Sequence, residues 1–143
     1  MKNKNDPISI IRGLIVGKFY HHIEEYGGWA FEFDNGIWMI AQEIEFPEEI
    51  EINNVLKASL QNLYDYPNSQ DMAKAAMAVR NKGFIVTDVL LLNNSELLIQ
   101  YENGNQMRLK TDTEIVDWHW AFSGNKSCPY TETLIACYYP GEY

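Results

Sequence analysis

The clearest pattern along the chain is an alternation with period two. In Trp29-Ala30-Phe31-Glu32-Phe33-Asp34, aromatic residues recur at every second position and small or acidic residues fill the gaps. That period belongs to a half-buried strand, with Trp29, Phe31 and Phe33 inward and Glu32 and Asp34 on the opposite face. Asp34-Asn35-Gly36 follows as a hairpin turn, since Asn-Gly supplies the positive φ values that a type I′ turn needs. Ile37 to Glu43 returns as the partner strand. Lys18 to Glu24 precedes the pair as a first strand, with Gly27-Gly28 as the turn between them.

The period then changes. Phe46-Pro47-Glu48-Glu49 ends the sheet segment and places acids ahead of a helix, and Glu49 to Tyr64 carries Ile52, Val55, Leu56, Leu60 and Leu63 at helical spacing. Pro67 breaks it. Ser69 reads as the N-cap of an Ala-rich helix running to about Asn81, with Met72 and Met77 as core or groove fillers and Gly83 just past its end.

Strands resume with Phe84 to Leu92, a turn at Asn93-Asn94-Ser95, Glu96 to Tyr101, a second Asn-Gly turn at Glu102 to Asn105, Gln106 to Lys110 and Glu114 to Phe122. Residues 17–46 and 82–120 read either as a degenerate repeat of strand–strand–Asn-Gly–strand or as two ordinary hairpins that look alike. Ser123 to Pro129 forms a loop, and Glu132 to Tyr139 is a last strand in a Tyr-rich segment that packs across the sheet or enters an interface. Together these elements predict a single α+β domain over residues 1–143, with mostly antiparallel sheet from two similar β-hairpin units separated by two helices.

Composition adds little beyond a globular chain: 143 residues, 46% apolar, 22% charged. Its longest apolar runs are too short to cross a bilayer, and Ile8 to Val16 is interrupted by Ser9, Arg12 and Gly13, so neither membrane span nor signal peptide is expected and a cytoplasmic location is. Cys128 and Cys137 either close a short disulfide loop or stay free. Without an export signal, free thiols are favoured.

Charge changes the picture more. The formal net charge is −9, and no Lys or Arg occurs between Lys18 and Lys57. That stretch holds Glu24, Glu25, Glu32, Asp34, Glu43, Glu45, Glu48, Glu49 and Glu51, while acids and bases balance elsewhere. Solubility alone predicts scattered charge. A concentrated carboxylate field repels nucleic acid and attracts a basic partner.

Few motifs carry chemistry. In a regular strand His22 and Glu24 share one face and His21 and Ile23 the other, so His21 and His22 cannot both face one ion without a bulge. Trp118-His119-Trp120 places both indoles on one face and reads as two core tryptophans with a hydrogen-bonded histidine. No Gly-x-Ser-x-Gly elbow and no phosphate-binding glycine loop occurs. No catalytic residue, metal or cofactor is expected.

Seen together, Gly17-Lys18-Phe19, Trp29 to Gly36, and the run from Tyr101-Glu102-Asn103-Gly104 to Trp118 resemble the β-rich, acidic immunity proteins that accompany bacterial polymorphic and contact-dependent growth-inhibition toxins. They are also similar to small bacterial domains with strand–F-x-x-G–strand repeats ending in Trp. The resemblance spans most of Gly17 to Trp120 in style, and nothing after Phe122. It implies a non-enzymatic protein that binds one cognate basic toxin, and it carries over no binding residues, because such families differ in fold. With a nuclease toxin, Glu24, Glu25, Glu32, Asp34, Glu43, Glu45, Glu48 and Glu49 would be the rim and steering charges, and Tyr26 or Trp38 an anchor. The alternatives are a metal-dependent hydrolase built on His21, His22 and neighbouring carboxylates, and a homo-oligomeric binding domain using the Tyr-rich end.

Overall fold

Each half of the chain opens with a helix that runs into a strand. The computed structural model describes residues 6–25, 28–60, 69–112, 117–125 and 133–143. Helix α1 (Pro7–Ile15) is not announced by the periodicity; it starts with Pro7, whose missing N–H is harmless in a first turn, and buries Ile11 and Ile15. Helix α2 (Glu49–Leu60) packs on α3 (Ser69–Asn81), which buries Ala73, Lys74, Met77, Ala78 and Asn81 along one stripe. The predicted extension of α2 to Tyr64, and Pro67, lie outside the described residues.

The strands are β1 (Tyr20–Glu25), β2 (Trp29–Phe33), β3 (Trp38–Ala41), β4 (Ile44–Glu45), β5 (Val86–Leu91), β6 (Leu97–Tyr101), β7 (Gln106–Leu109), β8 (Trp120–Ser123) and β9 (Thr133–Cys137). They form two antiparallel sheets, ordered β1-β2-β3-β8-β9 and β4-β7-β6-β5, and with the helices make an α+β fold. The strand expected from Glu114 is described only from Trp120, with 113–116 outside the described residues.

The two halves repeat one register. Tyr20 pairs with Phe33, a bulge follows, and His22, Ile23, Glu24 and Glu25 pair with Glu32, Phe31, Ala30 and Trp29. Val86 pairs with Tyr101, a bulge follows at the same place, and Asp88, Val89, Leu90 and Leu91 pair with Gln100, Ile99, Leu98 and Leu97. The β2–β3 and β6–β7 ladders match likewise, from Glu32↔Trp38 to Trp29↔Ala41 and from Gln100↔Gln106 to Leu97↔Leu109.

Both Asn-Gly turns differ from the expected type I′ form. Positive φ occurs only at Gly36 (85°) and Gly104 (84°), while Gly36 N–H donates to Phe33 O and Gly104 N–H to Tyr101 O. These are three-residue loops with glycine in the left-handed position. The Asn35 and Asn103 side chains each accept from the N–H two residues on, at 3.2 and 3.0 Å, which suits a right-handed asparagine.

Each half lends its fourth strand to the other. Strand β4 lies on β7 (Ile44↔Leu109, Glu45↔Arg108), and β8 lies on β3 in the matching register (Trp120↔Ala41, Ala121↔Ile40). The strand starts are also reciprocal: Gly17 N–H donates to Val86 O at 2.8 Å and Gly83 N–H to Tyr20 O at 2.9 Å. Such self-complementary exchange is the pattern of an isologous interface, here built inside one chain. Because β3 runs on into β4, the backbone bonds close a circuit around a single core. Phe31, Phe33, Met39, Trp120 and Phe122 meet Val89, Leu97, Ile99, Met107 and Leu109 there. Tyr20 sits at its centre, ring to ring with Phe31 at 4.9 Å, and donates to Ala78 O at 2.6 Å.

Strand β9 breaks the equivalence. It pairs with β8, whereas the matching edge of β4 has no fifth strand among the described residues. Glu43 O accepts from Lys110 N–H, so alternation turns the backbone groups of Ile44 and Phe46 outward. All four are satisfied locally. Ile44 N–H donates to Glu43 Oε1, Ile44 O accepts from Lys74 Nζ at 2.6 Å, Phe46 N–H donates to Glu49 Oε1, and Phe46 O accepts from Glu49 N–H. Three side-chain groups and one backbone N–H thus stand in for a fifth strand.

Candidate functional site

The acidic stretch from Phe19 to Leu56 divides into two groups in space. One group lies at β4 and the start of α2. Glu49, expected as a rim charge, is instead buried, because it caps Phe46 and holds Lys74 Nζ at 2.9 Å. Glu43 lies 3.7 Å from the same ammonium. Glu45 meets Arg108 at 4.0 Å and Lys110 at 3.8 Å, and both cations also hold Glu96. Partial burial works against the Lys110 charge, but Glu45, Glu96 and Asp112 push its pKa above the ordinary lysine value. Glu48, next to Glu49 in the chain, is half-buried. This group borders a cleft of about 490 Å³ lined by Phe46, Ile50, Leu98, Gln106 and Arg108 among others.

The other group lies on the outer face of the five-stranded sheet. Two rows of side chains cross it. His22, Glu32, Trp38 and Ser123 are successive cross-strand partners on β1, β2, β3 and β8, and Glu24, Ala30, Ile40, Ala121 and Ala136 form the next row. Ala30, Ile40, Ala121 and Ala136 are buried beneath Trp38 and Trp118, so this face has its own small apolar cluster. The alternation in β2 thus has a correction: Ala30 is as buried as Phe31, because both faces of the sheet are covered. Asp34 lies in the hairpin loop, where its carboxylate accepts from Phe19 N–H at 3.3 Å. Glu25 is exposed at the end of β1.

The histidines depart from the expected arrangement for a clear reason. The bulge between Tyr20 and His22 makes His21 an extra residue, so it does not share the inner face with Ile23. His21 Nε2 lies 4.0 Å from Glu32, while His22 Nε2 lies 2.9 Å from Glu24 and its ring meets Trp38 edge-on at 5.9 Å. Among the described residues, no group of three or more His, Cys, Asp or Glu side chains converges as a metal site.

Trp118 and Trp120 also separate rather than sharing a face. His119 N–H donates to Cys137 O and His119 O accepts from Gln42 N–H, which makes an irregular start to β8. Trp120 therefore enters the main core, where its indole donates to Ser95 O, and Trp118 joins the outer cluster. His119 is buried between them and its pKa is lowered by desolvation, with Asp112 acting the other way.

Cys137 is a buried free thiol; Cys128 and Tyr26 lie outside the described residues. Sequence reasoning missed Lys74, Arg108 and Lys110. The signal for Lys74 was its place on the Ala73–Met77–Ala78 stripe, where a lysine must find a carboxylate. Among the described residues, no helix is long and apolar enough to cross a membrane. No protein-family model, curated protein or solved structure matches the chain.

Proposed function

We propose that the chain is a binding protein for a basic protein partner, and that it acts as an immunity protein which occludes the basic active site of a toxin domain, a nuclease above all. The supporting observation is the difference between the two acid groups. Glu43, Glu45 and Glu49 lie against Lys or Arg, whereas Glu32 and Glu24 lie 4.0 and 2.9 Å from the Nε2 atoms of His21 and His22 on the outer sheet face that also carries Trp38. A half-buried indole with a carboxylate as its cross-strand neighbour is suited to a cationic side chain, which it meets by cation–π and charge attraction together. Exposed acids also accelerate the encounter with a basic groove.

The test is association kinetics with any toxin domain found encoded beside this chain's gene, at low and high salt. Glu24→Lys with Glu32→Lys should slow association and flatten its salt dependence. An unchanged rate and slope would end this reading.

A second reading, self-association through the C-terminal region, is favoured by the exposed side chains of Leu134, Tyr138 and Tyr139. Light scattering across a concentration series separates it: a dimer lost on Leu134→Glu would support it, and a monomer throughout would remove it.

A further inference from the structure

Strands β1 and β5 occupy equivalent places, yet their outer edges are finished differently. On β5, the Val89 carbonyl accepts from Arg12 Nε at 3.1 Å, and Asp88 holds the same guanidinium at 3.0 Å, so α1 covers that edge. The β1 equivalents are Ile23 and His22. Five residues before the helix-ending glycine, where α1 carries Arg12, α3 carries Ala78. An alanine cannot reach a strand edge with a donor.

Alternation identifies which groups stay open. Phe33 N–H donates to Ile37 O, so Phe33, Phe31 and Trp29 bond towards β3, and Glu32 and Ala30 towards β1. Their partners His22 and Glu24 bond inward. The N–H and C=O of Ile23 and Glu25 therefore face the outer edge, where no described residue takes them. An open edge is a template for another strand, and proteins guard such edges with charge. Glu24 and Glu25 disfavour a second copy of this chain, whose edge would bring the same carboxylates, and they favour a strand carrying Lys or Arg.

We propose that the outer edge of β1 takes up an extended, basic segment of a protein partner as an added strand. The open groups of Ile23 and Glu25 supply the main-chain hydrogen bonds, and alternate cationic side chains of the segment lie beside His22 and Glu24, next to Glu32 and Trp38. The inference rests on the outer face being the binding surface, and adds the mode of contact.

The full chain, isotope-labelled, is titrated with a peptide of about eight residues alternating Arg and Thr, a typical strand length. A parallel titration uses the same peptide with every backbone nitrogen methylated. Strand addition predicts slowed hydrogen exchange at the Ile23 and Glu25 amides, and binding about tenfold weaker for the methylated peptide, which keeps its charge and side-chain donors but has no backbone N–H to donate. Ile23→Pro removes an N–H that the β1–β2 ladder does not use, so the sheet should persist while binding falls. Should that variant unfold, the two peptides on the unmodified chain still decide. Equal binding of both peptides, with shifts centred on Glu32 and Trp38, would overturn strand addition while leaving the acidic face as the binding surface. Protection at β9 instead of β1 would also overturn it. Failure of both peptides to bind would remove both readings.

Discussion

Lys74 Nζ lies 2.9 Å from Glu49 Oε2 with both residues buried, and the same ammonium donates to Ile44 O. The pair closes the edge of β4 that β9 covers on β8. Lys74→Met should cost about 3–5 kcal/mol, because it leaves a buried carboxylate unpaired and an edge carbonyl without a donor. Lys74→Met with Glu49→Leu should recover much of that loss, since two apolar groups leave no charge stranded. Urea unfolding midpoints of the three proteins decide. A single-variant cost within about 0.5 kcal/mol, as at an ordinary surface site, would show that the clamp is dispensable.

Gly36 and Gly104 hold the same place in equivalent loops, at φ 85° and 84°, and a Cβ at either would meet nothing within 4 Å. Backbone conformation alone therefore sets the cost of alanine. Gly36→Ala and Gly104→Ala should each destabilise by about 1–2 kcal/mol. Their costs should agree within about 0.5 kcal/mol. Thermal or urea unfolding would show a large inequality if the loops were not equivalent.

Stability should fall at high pH. Burial pushes the Cys137 thiol from 9.0 up to about 11, Glu142 adds to this, and a hydrogen bond with Ser95 opposes it. Burial likewise raises the phenols of Tyr20 and Tyr101 above 10.0. For each group the unfolded chain loses its proton first, so stability is complete below pH 9.0 and is lost as pH rises past that value. Melting temperature against pH, with tyrosinate absorbance, tests this: the two buried phenols should ionise only as the chain unfolds. His119 has the opposite sign. Its pKa is lowered by burial, so it withdraws stability as pH falls below its ordinary value of 6.5, and His119→Gln should flatten that limb.

Charge reversal should separate the two acid groups. Glu45→Lys sets a cation against Arg108 and Lys110, and should cost about 0.2–1 kcal/mol of stability with little effect on partner association. Glu32→Lys should do the reverse, slowing association while leaving the melting temperature nearly unchanged. Kinetics and calorimetry on both variants check the pair. Equal slowing by both would mean that a diffuse field, rather than the outer face, attracts the partner.

Much of the secondary structure is legible in the residues alone. Trp29 to Phe33, the Asn-Gly loops and the Ala-rich helix from Ser69 to Asn81 depend on neighbours within one turn or one strand. The bulge at His21 leaves no such local trace, and it reversed the expected facing of that side chain. Nor does Trp118-His119-Trp120 announce that its strand begins only at the second indole, a consequence of where β3 and β9 bond to His119. Glu49 reads as one more acid in a row until α3 brings Lys74 beside it.

By itself, the sequence determined the periodicities: which segments extend, which coil, where the loops fall, and that one stretch carries the negative excess. Those are short-range properties, set by side-chain alternation and by residues that tolerate unusual backbone angles. Only the tertiary structure decided what that charge could do. Cations from α3 and β7 offset the carboxylates around β4, while those of β1 and β2 face outward beside Trp38 with histidines for company. Coulombic pairing acts between groups that are close in space, and here the partners come from distant parts of the chain.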